Sequence, residues 1–147
     1  MKQLNDIRNA PVSQYMSQDV VTIEGSKRVS EVVALMKTHG ISSVMVNPRD
    51  ESDVYGIVTE KDVLAKVIDP GKETFVDIWN TQAKSIMTKP LVTINPQMSV
   101  KYAIRLMHNI GVRRLPVMDG TKLVGIISET NILHVVETLP VSNETAL

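Results

Sequence analysis

At 147 residues the chain holds one domain of usual size or two small halves sharing a core, and 43% hydrophobic residues suffice for an ordinary interior. Sixteen basic residues balance sixteen acidic ones, which removes any electrostatic reason for nucleic acid or an anionic membrane as the main partner. The absence of cysteine excludes disulfides and thiolate metal sites, and 3% aromatic residues leave no stacking platform for bases.

Met1 to Ala10 is polar, without the apolar run of a secretory signal, and no stretch approaches the roughly 20 apolar residues of a membrane span. A soluble, cytoplasmic protein is expected. A short helical turn, Ser13–Met16, leads to an extended run, Val20–Ile23. A helix follows, with Val29, Val32, Val33 and Met36 at the i, i+3, i+4, i+7 spacing of one apolar face. Gly40 stands at its end, where a left-handed cap needs no Cβ. A strand (Ile41–Val46), a turn (Asn47–Asp50) and a second strand (Val54–Val58) come next, and a second helix starts at Thr59. Asp69-Pro70-Gly71 is a break signal that opens a linker, Asp69–Thr81. Trp79, the only tryptophan, is expected to anchor that linker by packing, with a partner contact as its other possible role.

The plan then repeats. A turn (Gln82–Met87), an extended run (Leu91–Ile94) and a helix carrying Val100, Ala103, Ile104 and Met107 on one face lead to Gly111. A strand (Val112–Met118), a turn at Asp119-Gly120, a strand (Leu123–Ile127) and a helix from Ser128 complete it, and the tail after Pro140 is polar. The copies align residue by residue: Met16 falls on Met87, Val21-Thr22-Ile23 on Val92-Thr93-Ile94, Val29 on Val100, Leu35-Met36 on Leu106-Met107, Gly40 on Gly111 and Val46 on Val117. Two residues are lost in the second turn, where length changes are tolerated. Gly56-Ile57-Val58-Thr59-Glu60-Lys61-Asp62 then matches Gly125-Ile126-Ile127-Ser128-Glu129-Thr130-Asn131.

Residues 12–68 are therefore read as a first repeat, 69–81 as a linker and 82–138 as a second repeat, each β-α-β-β-α. The expected fold class is α/β (α+β), with the two repeats packed about a pseudo-twofold axis. A half of about 55–60 residues is small for a core of its own. The halves are expected to share one, leaving a ligand cleft along their seam.

Thr59 and Asp62 have the spacing of a capping box, which alone explains them. The same geometry suits a ligand: a helix start offers free N–H groups and a positive dipole end to a phosphate, and the carboxylate can accept from both hydroxyls of a ribose. In the second copy Ser128 keeps the hydroxyl, but Asn131 offers one acceptor oxygen instead of two. Arg113 and Arg114 enter a strand, so alternation sends them to opposite faces. They are either a solvated edge pair or a phosphate fork, and the first copy has Ser42-Ser43 there.

With two copies at matched spacing, the chain resembles the cystathionine-β-synthase-type (CBS) domain pair, or Bateman module. The resemblance covers nearly everything from Val12 to Thr138. It rests on the doubled Gly-h-h-(Ser/Thr)-x-x-(Asp/Asn) segment and on Arg113-Arg114-Leu115-Pro116-Val117. It implies up to two clefts that bind AMP, ADP, ATP, NAD or S-adenosylmethionine, with no cofactor required, and dimers of such pairs. It also implies roles: Thr59 and Ser128 toward phosphate, Asp62 and less well Asn131 toward ribose, and Arg113 and Arg114 toward phosphate. Val20, Val21, Leu91 and Val92 would wall the adenine, and His134 lies where some relatives place a phosphate-contacting Lys. Asn131 departs from the usual Asp, which puts the second ribose contact in doubt.

The expectation is thus a non-catalytic sensor, a homodimer acting on a separate regulated protein, with neither nucleic acid nor membrane as partner. No cysteine nucleophile, Gly-x-Ser-x-Gly turn, His-Glu-x-x-His or Gly-Lys-Ser/Thr phosphate loop argues for an enzyme. The spacing of His39, His108 and His134 does not suggest a metal. A dimerisation module with degenerate sites and a small enzyme without readable motifs are the rival readings.

Overall fold

One-sided helices and short apolar strands assemble here into two units, and the chain is divided between them at Val20/Val21 and Leu91/Val92. A central unit is Val21–Leu91, and a terminal unit joins Met1–Val20 to Val92–Leu147. The computed structural model describes residues 3–69, 71 and 76–142. Pro70 and 72–75 of the expected linker, and 143–147 of the expected polar tail, lie outside the described residues. In chain order the elements are α1 (Leu4–Asn9), β1 (Thr22–Ile23), α2 (Val29–His39), β2 (Ser43–Val46), β3 (Gly56–Thr59), α3 (Glu60–Val63), α4 (Val100–Ile110), β4 (Arg114–Asp119), β5 (Lys122–Ser128) and α5 (Glu129–Val136). Single 3-10 turns stand at Val12–Gln14 and Ala83–Ser85, and a π-helical turn, Leu64–Ile68, continues α3.

The central unit is built on a three-stranded sheet ordered β1-β2-β3. β1 and β2 are parallel, as the α2 crossover between them requires, and β2 and β3 form an antiparallel hairpin with Ser43 opposite Thr59. Val29 and Val32 of α2 close on Val44, Val46 and Val58 of the sheet, and Ala83 and Ile86 complete that core. The buried stripe is narrower than the spacing predicts, since Val33 is 37% exposed. β1 is also shorter than expected: Val20 N–H donates to Gln18 C=O at 3.0 Å, a local turn in place of a pairing partner. The returning linker is fastened by backbone bonds, Val29 N–H to Thr81 C=O and Ser30 N–H to Ile78 C=O, both 2.9 Å. Val76 and Ile78 pack on the core, whereas Trp79 is 66% exposed, so the tryptophan is not the expected anchor.

The terminal unit is a two-stranded β4-β5 sheet with Arg114 opposite Ser128, and Ile94 adds a single parallel bridge to Val117. Val100, Ala103 and Met107 of α4 are buried with Leu115, Val117 and Ile127 of the sheet and Ile132 of α5. Ala10 and Val12, from the start of the chain, belong to the same core, and α1 packs against α4 and α5. Gly40 and Gly111 end α2 and α4 at φ 61° and 74°, each amide bonding the carbonyl of Met36 or Met107.

The packing exchanges the leads of the two sequence copies. Ser17 and Ile126 trade backbone bonds of 2.8 and 2.9 Å, and Thr88 and Ile57 trade bonds of 2.8 and 3.1 Å. Met16 lies over Gly125 and Met87 over Gly56, where a glycine Cβ would meet each Sδ at 2.6 Å. Each methionine is held by the last strand of the copy to which it does not belong in sequence.

Candidate functional site

The sequence places its two hydroxyl-acid or hydroxyl-amide pairs at helix starts, and both form there. In the central unit Thr59 caps α3: its hydroxyl accepts from Asp62 N–H at 3.2 Å, and Thr59 N–H donates to Asp62 Oδ2 at 2.9 Å. The Thr59 hydroxyl also lies 3.1 Å from Oδ2. Asp62 is 7% exposed, the one buried charged residue among those described. A buried carboxylate needs partners for both of its oxygens. Its Oδ1 accepts from the Thr88 hydroxyl at 3.0 Å and from the Lys66 ammonium at 3.1 Å. Lys66 donates in addition to Ile86 C=O at 2.7 Å. Two contacts on each oxygen match the roughly four lone-pair sites of a carboxylate, so Asp62 holds α3 to the 86–88 segment with its acceptors filled.

The terminal unit repeats half of this. Ser128 caps α5, accepting from Asn131 N–H at 3.1 Å, while Asn131 Oδ1 accepts from Ser128 N–H at 3.0 Å and sits 2.9 Å from its hydroxyl. Neither the lysine nor the carboxylate has a counterpart, because Val135 and Asn131 stand at those positions. Arg114 opens β4 directly across from Ser128, and Glu129 N–H donates to Arg113 C=O at 3.0 Å. Both arginines are therefore beside the α5 start. The Arg113 side chain is 80% exposed and lies 3.6 Å, Nε to Oε2, from Glu129, whose other oxygen is 3.6 Å from His108 Nε2. An anion arriving at Arg113 would compete with this carboxylate.

The remaining sequence candidates are more scattered. Val21 packs at the edge of the central core, and its C=O accepts from Met45 N–H at 3.0 Å. Val20 and Leu91 are half-buried, Val92 is exposed, and His134 is exposed on α5. Sequence reasoning missed Lys66, Thr88 and Glu129. Lys66 was legible, since it stands four residues after Asp62 on one helical face. Thr88 carries no local signal, because its contact with Asp62 spans 26 positions and depends on the exchanged leads. Among the described residues no group of His, Asp and Glu is disposed to hold a metal ion, and no helix is long and apolar enough to cross a membrane.

The family model for the CBS domain matches residues 12–69 and again 83–138. The chain belongs to the CBS domain family. An uncharacterised protein of Methanopyrus kandleri is 37% identical to this CBS pair over 131 residues, which are 88% of this chain and 64% of that protein. The crystal structure of the hexameric CBS-CP12 protein from bloom-forming cyanobacteria is 42% identical, with a TM-score of 0.77 over 84% of this chain and 66% of the other. This CBS pair thus spans about two thirds of the length of these relatives. Two structures share the fold at lower identity. The CBS domain pair of MJ0100, in complex with 5′-methylthioadenosine and S-adenosyl-L-methionine, is 19% identical (TM-score 0.72, 86% of this chain and 95% of that one). CBSX2 in complex with AMP is 22% identical (TM-score 0.72, 87% and 96%).

Proposed function

We propose that this CBS pair is a non-catalytic, cytoplasmic regulatory module that binds an adenine-containing ligand at its duplicated helix starts. AMP, ADP and ATP are the first candidates, with NAD and S-adenosylmethionine beside them. The observation that carries the reading is the pair of hydroxyl-capped starts, Thr59 and Ser128, with Arg113 and Arg114 next to the second. The positive end of the helix dipole, the Ser128 hydroxyl and two neighbouring guanidinium groups make the α5 start suited to phosphate. Ribose would go to Asp62, taking over acceptor positions now held by Thr88 or Lys66, and more weakly to Asn131. The adenine would lie along Val20, Val21, Leu91 and Val92, with His134 a further phosphate contact. The adenosine-type ligands of MJ0100 and CBSX2 support the ligand class. Ligand occupancy would be read by a separate protein, through a difference in affinity between two shapes of the module.

A thermal-shift panel of the five ligands tests this. A ligand at 100 times its dissociation constant stabilises by about 2.7 kcal/mol, a rise of about 5–10 °C in Tm for a chain of this size. Arg113→Ala and Arg114→Ala are expected to weaken phosphate-bearing ligands more than adenosine. Multiple turnover of any ligand would remove the non-catalytic part of the reading. A second reading, a structural module with degenerate sites, draws on the filled acceptors of Asp62, which need no ligand to explain them. It predicts no shift with any member of the panel.

A further inference from the structure

We propose that the central unit carries a second site, for a small organic anion, at the opposite end of the β2-β3 hairpin from Thr59. A groove of about 750 Å³ opens there, between the turn after β1, the β2-β3 loop and the 84–89 segment. That volume lies in the range of small-molecule sites, about 300–1,000 Å³. Val46 and Met87 give it an apolar floor, while its rim carries Arg49, Lys84 and Lys89.

The polar groups of the rim leave donors over and few acceptors. Asp53, with a side chain 8% exposed, is the keystone: Oδ1 takes the Lys89 ammonium at 2.6 Å, and Oδ2 takes Arg49 N–H at 2.9 Å and Arg49 Nε–H at 3.1 Å. The Lys89 ammonium, and after it the Arg49 amide, hold the Asp53 carboxyl well below the usual carboxylate range, so the clamp stays charged at neutral pH. Glu24, the other acid, accepts from the Asn47 amide at 3.0 Å. Lys89 uses one of its three protons on Asp53, the Arg49 terminal nitrogens lie outside the clamp, and among the described residues the Lys84 ammonium has no partner. Three cations against two engaged carboxylates favour an anion, and charge-assisted bonds from Lys and Arg are the strong ones.

The terminal unit acts as an internal control. Lys84 and Lys89 are matched there by Ser13 and Gln18, Gly25 by Pro96, and the Arg49–Asp53 loop by the short Asp119-Gly120 turn. That unit folds without any of these residues, so folding does not account for them. Gly25 matters for space: a Cβ on it would stand 3.3 Å from Lys84 Cβ and 3.4 Å from Val46 Cγ1, against the groove wall.

The test is an amide chemical-shift titration of the full chain with sodium phosphate and, separately, sodium acetate, each against sodium chloride at matched ionic strength. Saturable shifts at Gly25, Lys84, Ser85 and Lys89 are expected in at least one arm, and the arm that saturates names the head group as phosphate or carboxylate. Lys84→Gln with Lys89→Gln should raise the dissociation constant about tenfold or more, while Lys122→Gln, which removes an exposed charge elsewhere, should leave it unchanged. Lys84→Gln alone, which breaks no ion pair or hydrogen bond with a described residue, should weaken binding even if the double variant is poorly folded. Shifts that stay linear and equal to the chloride control, or an unaltered dissociation constant in Lys84→Gln, would overturn the site. Neither outcome bears on the adenine ligand at Thr59 and Ser128.

Discussion

Both oxygens of Asp62 are engaged inside the central unit, by Thr59, Thr88 and Lys66. Removing them all with Asp62→Ala should lower unfolding free energy by about 2–3 kcal/mol, a lost cap plus stranded donors. Thr88→Val should cost about 1 kcal/mol in urea denaturation. If a ribose takes the acceptor that Thr88 now holds, the same substitution should tighten a ribose-bearing ligand in titration calorimetry. A purely structural threonine would lower stability and leave affinity alone. Asp53 behaves differently with pH. Its folded pKa lies below the value of an unfolded aspartate, so its contribution is fully present above about pH 4 and is lost as pH falls toward the depressed value. Asp53→Asn should flatten the acid limb of a stability-against-pH curve measured by urea melts below pH 4, and an unchanged limb would refute the clamp. At this scale the sequence was informative wherever partners are neighbours. Thr59 with Asp62 and Ser128 with Asn131 are three residues apart and readable, whereas Thr88 becomes a partner only through tertiary pairing.

Among the elements, the helices were the easiest to read, because one apolar face repeats at 3.6 residues and a left-handed glycine ends it. The strands were harder. β1 keeps only Thr22 and Ile23, since pairing requires a neighbouring strand and not merely apolar residues. The two glycines under the methionines test how tightly the leads are seated. A Cβ at Gly56 meets the movable end of Met87, with the nearest backbone oxygen, of Thr88, at 3.4 Å. At Gly125 it meets Met16 and, at 2.8 Å, the backbone oxygen of Ser17, which is itself bound to the strand. Gly125→Ala should therefore cost about 2–3 kcal/mol and Gly56→Ala about 1 kcal/mol, within the usual range for overpacking. Equal losses by thermal or urea unfolding would contradict this difference in packing.

For the whole molecule, the repeat was legible in the alignment of Met16 with Met87 and Gly56 with Gly125, but the exchange of leads was not. Identical residues at equivalent positions are equally satisfied by packing within a copy or across copies. Leu64 and Leu133, matched positions of the two copies, are 61% and 56% exposed, and Ile68 is 71% exposed. Such residues would suit the homodimer that the sequence resemblance implies. Leu64→Glu with Leu133→Glu should convert that dimer to monomer in light scattering, with unfolding free energy at high dilution changed by less than about 1 kcal/mol. The exchange has a further consequence during synthesis. Val21–Leu91 has all its core partners once Leu91 leaves the ribosome, whereas Val12 and Met16 must wait for β5 and α5. At about 5–20 residues per second, Val12 and Met16 stay without their strand for several seconds after the middle can close, an interval in which a chaperone could hold that lead segment.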